Sequence, residues 1–309
     1  MKIRIASRKS ALAMWQSEHI KKRLEAAGHE CEIIKMSTKG DVILDTPLAK
    51  IGGKGLFTKE LENALLEGRA DIAVHSLKDV PTRFEAGLEL ACVCSRENTD
   101  DCLLSMNYTS LEGLSLGARV GTTSLRRRMQ ILARRPDLKV ISLRGNVNSR
   151  ISKLQNGVFD AIILAQAGIT RLGLENLVNH ISQLGSVPAM GQGALGIEIA
   201  SANRAVKEAI AFLNDEKSVI ETSIERAFVD TLNGGCQAPI GVSAVLSGDK
   251  VRVKAILGLV DGSEILSAER EFCAKLGSEA GVILAGEFIA RGAKELLERS
   301  EQMSKAMEF

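Results

Sequence analysis

The sequence predicts an α/β protein that ends in a small α+β domain, and three observations lead there. Strand-like and helix-like segments alternate over roughly the first 200 residues, the grammar of a mostly parallel sheet with helical crossovers. One run, Ala161-Ile162-Ile163-Leu164-Ala165, is apolar throughout, as in a strand covered on both faces. Beyond residue 219 the order changes to helix, three strand-like runs and helix, which puts strands together and helices to one side.

Residues 3–7 alternate apolar and polar side chains, as a half-buried strand does. Ser10 is placed to cap a helix that runs to about Ala27, where Gly28 stops it. Residues 30–36 read as a second strand. The polar, glycine-rich stretch 37–55, with Pro47 inside it, lacks apolar periodicity and reads as a mobile loop. A helix over 58–67 leads into a strand over 72–75. The same grammar then repeats, with strands at 118–121, 139–143, 160–165 and 194–199 and helices at 124–134 and 147–155. In the last third a helix over 219–232 ends at Gly234-Gly235. Strands follow near 240–246, 251–260 and 264–272, and one long helix starts near Ser278. Met14 and Trp15, on the first helix, are expected in the core.

The 309 residues leave room for two or three domains of roughly 100–150 residues each, and 45% apolar side chains can bury a substantial core. Aromatic residues make up only 3%, which disfavours base-stacking platforms, and a formal charge of +2 implies no general polyanionic partner. No nucleic-acid partner is expected. The N-terminal Met-Lys-Ile-Arg-Ile-Ala-Ser-Arg mixes charge into its apolar alternation, unlike a signal peptide. No stretch approaches roughly 18 uncharged apolar residues, so no membrane span is expected. Cys31, Cys92, Cys94, Cys102, Cys236 and Cys273 are scattered through the chain and read as reduced thiols of a cytoplasmic protein. Cys92 and Cys94 share a strand face but lack a matching ligand pair. The histidines His19, His29, His75 and His180 show no ligand spacing, and no metal is expected.

Four constellations could carry chemistry. Between positions 119 and 150 stand Arg119, Arg126, Arg127, Arg128, Arg134, Arg135, Arg144 and Arg150, with Lys139, against the single acid Asp137. Guanidinium forks bind carboxylate or phosphate bidentately, so a multi-anionic ligand would account for the excess. A solvated helix face is the alternative. It suits Arg134 and Arg135 at a helix C-terminus, but suits Arg126, Arg144 and Arg150 less, because cations near a helix N-terminus oppose the dipole unless an anion is there. Second, the turns Gly121-Thr122-Thr123-Ser124 and Arg144-Gly145-Asn146 each join a strand to a helix and expose backbone N–H groups, although ordinary capping uses the same residues. Third, His75-Ser76-Leu77-Lys78-Asp79-Val80-Pro81 follows an apolar strand, where open α/β sheets place ligands. Asp79 there is either a catalytic carboxylate or a solvated turn residue, and His75 reads as a packing or hydrogen-bonding residue. Fourth, Cys236 follows Gly234-Gly235 in a loop, which suits an accessible nucleophile or attachment point as well as a small apolar filler.

Together these segments resemble the porphobilinogen deaminase family along nearly the whole chain. The matching stretches are Ile5-Ala6-Ser7-Arg8-Lys9-Ser10, Lys39-Gly40-Asp41, Gly52-Gly53-Lys54-Gly55-Leu56-Phe57, and the His75–Pro81 segment with Val74. They continue with Gly121-Thr122-Thr123-Ser124-Leu125-Arg126-Arg127, Leu143-Arg144-Gly145-Asn146-Val147, Pro188-Ala189-Met190-Gly191-Gln192-Gly193 and Gly234-Gly235-Cys236-Gln237-Ala238-Pro239-Ile240. Leu77, Met190 and Ala238 are mild apolar departures, and Asp100-Asp101-Cys102 is a looser match.

The resemblance implies three domains. The first two would resemble type 2 periplasmic-binding-protein domains, 1–96 plus 194–215 and 97–193, and the third would be the α+β domain 216–309. It implies a monomer whose substrate is porphobilinogen and a dipyrromethane cofactor held in thioether linkage, with Cys236 at the matching position. Four porphobilinogen units would be joined head to tail with loss of ammonia, and water would release linear hydroxymethylbilane. Asp79 matches the carboxylate that stabilises positive charge at the pyrrole and takes the α-carbon proton. By the same match Ser76, Lys78, Thr122, Ser124, Arg126, Arg127 and Asn146 would hold the cofactor. Arg8, Ser10, Gln16, Arg144, Arg150, Arg171 and Gln192 would hold substrate or the growing chain, and the 37–56 loop with Lys50 and Lys54 would cover the cleft. An anionic solute-binding protein would use the same arginines but predicts an export signal and no role for Cys236.

Overall fold

The computed structural model describes residues 1–38, 40, 55–235 and 238–307. In chain order the elements are β1 (Lys2–Arg8), α1 (Ala11–Ala26), β2 (Glu30–Met36), α2 (Lys59–Leu66), β3 (Ile72–Ser76), β4 (Leu88–Val93), β5 (Asp101–Ser105), β6 (Arg119–Gly121), α3 (Leu125–Arg134), β7 (Lys139–Ile141), α4 (Val147–Gln155), β8 (Ala161–Ala165), α5 (Gln166–Leu172), β9 (His180–Gln183), β10 (Leu195–Ala200), α6 (Arg204–Ile210), α7 (Glu216–Thr231), β11 (Ile240–Ser247), β12 (Lys250–Gly258), β13 (Ile265–Cys273), α8 (Ser278–Ala290) and α9 (Ala293–Ala306). The chain divides into two compact units. One takes in the described residues of 1–43, 54–97 and 191–219, and the other takes in 98–190 and those described from 220 on.

The first unit is built on a five-stranded sheet in the order β2-β1-β3-β10-β4. β1 runs parallel to β2 and β3, and β10 runs antiparallel to β3 and β4. Ile3, Ile5, Ile72, Val74, Ile197 and Ile199 pack with Ile20 and Leu24 of α1. Their neighbours Ala6 and Ala73 pack with Leu61, Ala64 and Leu65 of α2, because successive residues of a strand point to opposite faces. The face of α1 that meets the sheet carries Ala13, Gln16, Ser17, Ile20 and Leu24. Met14 and Trp15, expected in the core, lie off that face and are half-buried, with Trp15 stacked on His19 at 5.2 Å.

The second unit holds two sheets. The five-stranded one has the order β7-β6-β8-β5-β9. β6 is parallel to β7 and β8, and β5 is antiparallel to β8 and β9. In both five-stranded sheets the antiparallel strand beside the parallel trio is the one the chain enters first after leaving the other sheet, β10 in one and β5 in the other. The apolar run in β8 has the expected cause. Ala161 and Ile163 pack with Ile131 and Leu132 of α3, while Ile162 and Leu164 pack with Ile151 and Leu154 of α4.

The remaining sheet is the antiparallel meander β11-β12-β13. Val242, Ala244, Val251, Val253, Ala255 and Leu257 bury one face against Phe228 of α7 and Phe288 of α8, whose rings meet edge-on at 5.2 Å. α8 approaches α7 closely at Gly281, where a Cβ would lie 2.1 Å from the Ile224 carbonyl oxygen. α7 starts earlier than the apolar pattern suggests, because Asp215 accepts the Ser218 N–H at 2.8 Å and sets its first turn. The single long terminal helix expected from Ser278 is two helices. Gly292 takes φ +86 between them, and that left-handed residue ends α8 and starts α9. The α/β class and the small α+β C-terminal part are as the sequence predicts. Among the described residues no helix is long and apolar enough to cross a membrane.

Candidate active site

β1 and β3 are parallel neighbours, with Ile5 opposite Ile72 and Ala6 opposite Ala73, so their C-terminal ends emerge on one edge of the sheet. β1 ends there at Arg8. Ser10 follows and caps α1, its hydroxyl accepting the Ala13 N–H at 3.4 Å. β3 passes through Ser76 into a tight turn of 3-10 helix, Leu77–Asp79. Leu77 anchors that turn, being fully buried, and its N–H donates to the Ala194 carbonyl at 3.0 Å. A small cavity of about 60 Å³ opens at this edge, lined by Arg8, Ser10, Gln16, Phe57, His75, Ser76 and Asp79 among others. Asp79 is half-buried. Arg8 lies over the Phe57 ring, 4.4 Å from its centroid. Behind the cavity His75 Nε2 stands 3.2 Å from a carboxylate oxygen of the fully buried Glu198. Burial pushes the nearby Glu62 carboxyl up, against the Thr58 hydrogen bond, and the charge of Glu198 adds to the rise.

Lys78 and Gln192 meet in the same unit, Lys78 Nζ donating to Gln192 Oε1 at 3.3 Å. The Gln192 backbone carbonyl accepts Nε of Arg96 at 2.8 Å, and the residue is buried.

In the second unit β6 ends in the turn that carries Thr122 and Ser124. The buried Thr122 hydroxyl accepts the Ser124 N–H at 3.2 Å, and Ser124 caps α3 by accepting the Arg127 N–H at 3.4 Å. Arg126 and Arg127, in the first turn of α3, are both buried around one carboxylate, Asp101. Arg127 sends Nε and Nη2 to Oδ1 at 3.0 and 2.7 Å. Arg126 sends Nη1 to Oδ2 at 2.6 Å, and the Ser186 hydroxyl donates to the same oxygen at 3.0 Å. Burial alone would raise the Asp101 carboxyl, but the two guanidinium groups hold it far below the usual carboxylate range. Two cations around one anion leave this buried trio with a positive charge.

The other arginines of the excess divide clearly. Arg119 pairs with Asp160, and Arg135 with Asp137 and the Leu111 and Leu114 carbonyls. Arg134 pairs with Glu112 and the Leu184 carbonyl. Arg134 is exposed, as the expected solvated helix face requires, whereas Arg135 is half-buried and clamps Asp137 to the 111–114 turn. Arg144 ends the next turn half-buried, and burial pulls its guanidinium below the ordinary value. Asn146 caps α4 by accepting the Ser149 N–H at 2.9 Å, and Arg150 Nε donates to the Gly145 carbonyl at 2.7 Å. Arg171 lies half-buried in the last turn of α5. Cys236 and Gln237 lie outside the described residues, as do Lys39 and 41–54 with Lys50 and Lys54.

Residues 3–208 match the family model for porphobilinogen deaminase, dipyromethane cofactor binding domain, and residues 219–290 match the model for its C-terminal domain. The chain belongs to the porphobilinogen deaminase family. The porphobilinogen deaminase of Campylobacter fetus is 68% identical over 303 residues, 98% of this chain and all of the relative. That of Campylobacter jejuni is 56% identical over 308 residues, again 98% of this chain and all of the relative. Among solved structures, a periplasmic substrate-binding protein of Coxiella burnetii is similar at TM-score 0.44 and 15% identity, covering 69% of this chain and 92% of that one. A periplasmic binding protein of Salmonella typhimurium is similar at TM-score 0.43 and 12% identity, covering 70% and 93%.

The residues of the second unit fit the cofactor that the porphobilinogen deaminase family carries. A dipyrromethane bears several carboxylates. The buried Arg126–Asp101–Arg127 trio retains a positive charge beside a helix N-terminus whose first turn contains no acid, and that donor set suits such an anion. Phe57, His75 and Asp101 carry no site assignment from the sequence. Asp101 stands 25 and 26 residues before its arginines, beyond the reach of any local pattern.

Proposed function

We propose that the chain is a hydroxymethylbilane synthase. It condenses four porphobilinogen molecules head to tail with release of ammonia, then hydrolyses the linear product from its primer, a step of tetrapyrrole and haem synthesis. The observation that carries this reading is the small cavity at the end of β3. One carboxylate, Asp79, stands there among Arg8, Ser10, Gln16 and Ser76.

Porphobilinogen brings an acetate, a propionate and an aminomethyl group. Arg8, Ser10, Gln16, Arg144, Arg150, Arg171 and Gln192 hold its carboxylates and those of the growing chain. Loss of ammonia makes the aminomethyl carbon electrophilic and spreads positive charge to the pyrrole nitrogen. The Asp79 carboxylate lies against that charge and lowers the barrier. Once the carbon–carbon bond has formed, an Asp79 oxygen takes the proton from the α-carbon of the attacking ring, which restores the aromatic pyrrole. When bound, the dipyrromethane supplies the nucleophilic α-carbon on which the chain grows. Cys236 tethers it through sulfur, and Ser76, Lys78, Thr122, Ser124, Arg126, Arg127 and Asn146 hold its carboxylates.

The three-domain division 1–96 plus 194–215, 97–193 and 216–309 belongs to this reading, supported by three sheets with separate cores. So do a monomer, no nucleic-acid partner and a cytoplasmic location. The location is supported by Cys31, Cys92, Cys94, Cys102 and Cys273, which form no disulfide among the described residues. Incubation of the purified protein with porphobilinogen tests the activity. Four ammonia molecules should appear for each linear tetrapyrrole released, and porphobilinogen left unconsumed would overturn the assignment.

A further inference from the structure

We infer that Gln130 is a positioning residue of the cofactor site, tying the arginine-bearing helix α3 to the segment on which the strand after Cys236 is seated. The inference rests on the family reading above and concerns a residue to which that reading gives no role.

Gln130 lies one turn beyond Arg126 and is buried. Its amide pairs with the Val187 peptide as a neighbouring strand would. The Val187 N–H donates to Oε1 at 2.7 Å, and Nε2 donates to the Val187 carbonyl at 3.0 Å. Nε2 also reaches the Arg126 carbonyl at 3.3 Å. The Val187 carbonyl accepts Nη1 of Arg126 at 2.7 Å, so one peptide unit fixes both side chains.

The other side of this segment carries β11. The Val242 N–H donates to the Pro188 carbonyl at 2.9 Å, and a Cβ on Gly241 would come within 2.8 Å of the Val187 carbonyl oxygen. Cys236 precedes β11 in the sequence by only a few residues. A second grip holds the far half of α3. Gly262, in the turn between β12 and β13, takes φ +75, and a Cβ there would lie 2.4 Å from the Ala133 nitrogen and 2.7 Å from the Met129 carbonyl oxygen. The C-terminal sheet and the arginine pair are therefore registered to each other through buried hydrogen bonds and close backbone contact. Losing the amide loosens the Val187 peptide on which Arg126 Nη1 rests, and a misplacement of about 1 Å is enough to cost large factors in a positioned reaction.

The test follows cofactor acquisition rather than turnover alone. Apo-protein made without porphobilinogen is mixed with it, and the gain of the two-pyrrole adduct is followed by intact-mass spectrometry for wild type, Gln130→Met, Gln130→Glu and a control, Val178→Ala, in the same unit but in a core cluster that holds no residue of α3. Gln130→Met should acquire the adduct about tenfold or more slowly. Gln130→Glu keeps the acceptor for the Val187 N–H and should fall between it and wild type. Val178→Ala should load at the wild-type rate even if its melting temperature drops as far. Loading of Gln130→Met at the control's rate would overturn the inference. If Gln130→Met does not fold, wild-type loading by Gln130→Glu would overturn it. A wild type that gains no adduct would instead sink the family reading, so the two failures are distinct.

Discussion

Gln16 of α1 donates from Nε2 to the Ser76 hydroxyl at 2.8 Å, and this bond fastens the first helix to the end of the strand that turns into Asp79. Both residues line the cavity that holds Asp79 and Arg8. The carboxylate is thus carried on a short turn whose near side is fixed to α1 and whose buried Leu77 is fixed to Ala194.

Asp79→Asn should fold normally, because the side chain is only half-buried and the amide is nearly the same size and shape as the carboxylate. Its turnover should fall by roughly a hundredfold or more, the usual scale for losing a positioned proton acceptor. Circular dichroism and steady-state kinetics check the two halves, and wild-type turnover would remove Asp79 from the chemistry.

Asp101→Asn should cost about 3–5 kcal/mol of stability, measured by urea unfolding at neutral pH, because it strands two buried guanidinium groups. The pH dependence has a definite sign. The folded Asp101 carboxyl is depressed, so as pH falls below about 4 the unfolded chain takes up the proton first. The stabilisation is complete above the unfolded value and is lost progressively as pH drops towards the folded one. The gap between wild type and variant should therefore shrink on acidification, and a constant gap would contradict the coupling.

Arg144→Leu should leave the fold intact and raise the KM for porphobilinogen by roughly ten- to a hundredfold, the value of a charge-assisted hydrogen bond. Wild-type KM and unchanged elongation would mean that Arg144 serves only its own turn.

Thiol labelling separates the cysteines. Burial pushes the Cys92 and Cys102 thiols up to about 12, so neither is a thiolate at pH 8. The native cofactor-bearing protein should label at the exposed Cys273, with Cys236 blocked by its thioether. The apo-protein should label at Cys236 as well, which peptide mapping would locate.

Local signals made much of the fold legible. Ser10 and Asn146 mark helix starts, Gly28 marks a stop, and the β8 run announces a sheet covered on both faces. The break at Gly292 was hidden, because a glycine inside a helical pattern does not declare whether it will adopt a left-handed turn. Met14 and Trp15 misled because their apolarity outweighed the face of α1 that meets the sheet. In the site, motif matches gathered Arg8, Ser10, Gln16, Ser76 and Asp79, and these converge on one cavity. The arginine excess was visible as a count, but its division was not. Asp101, Asp160 and Glu112 lie far from their arginines in sequence, and only the folded chain shows which guanidinium groups they engage.

The most direct test of the account is the intact mass of the purified, active protein, read beside that of Cys236→Ala. The wild type should exceed its sequence mass by two linked pyrroles, mapped to Cys236, and the variant should carry no adduct and no activity. Active protein at its bare sequence mass would contradict the account.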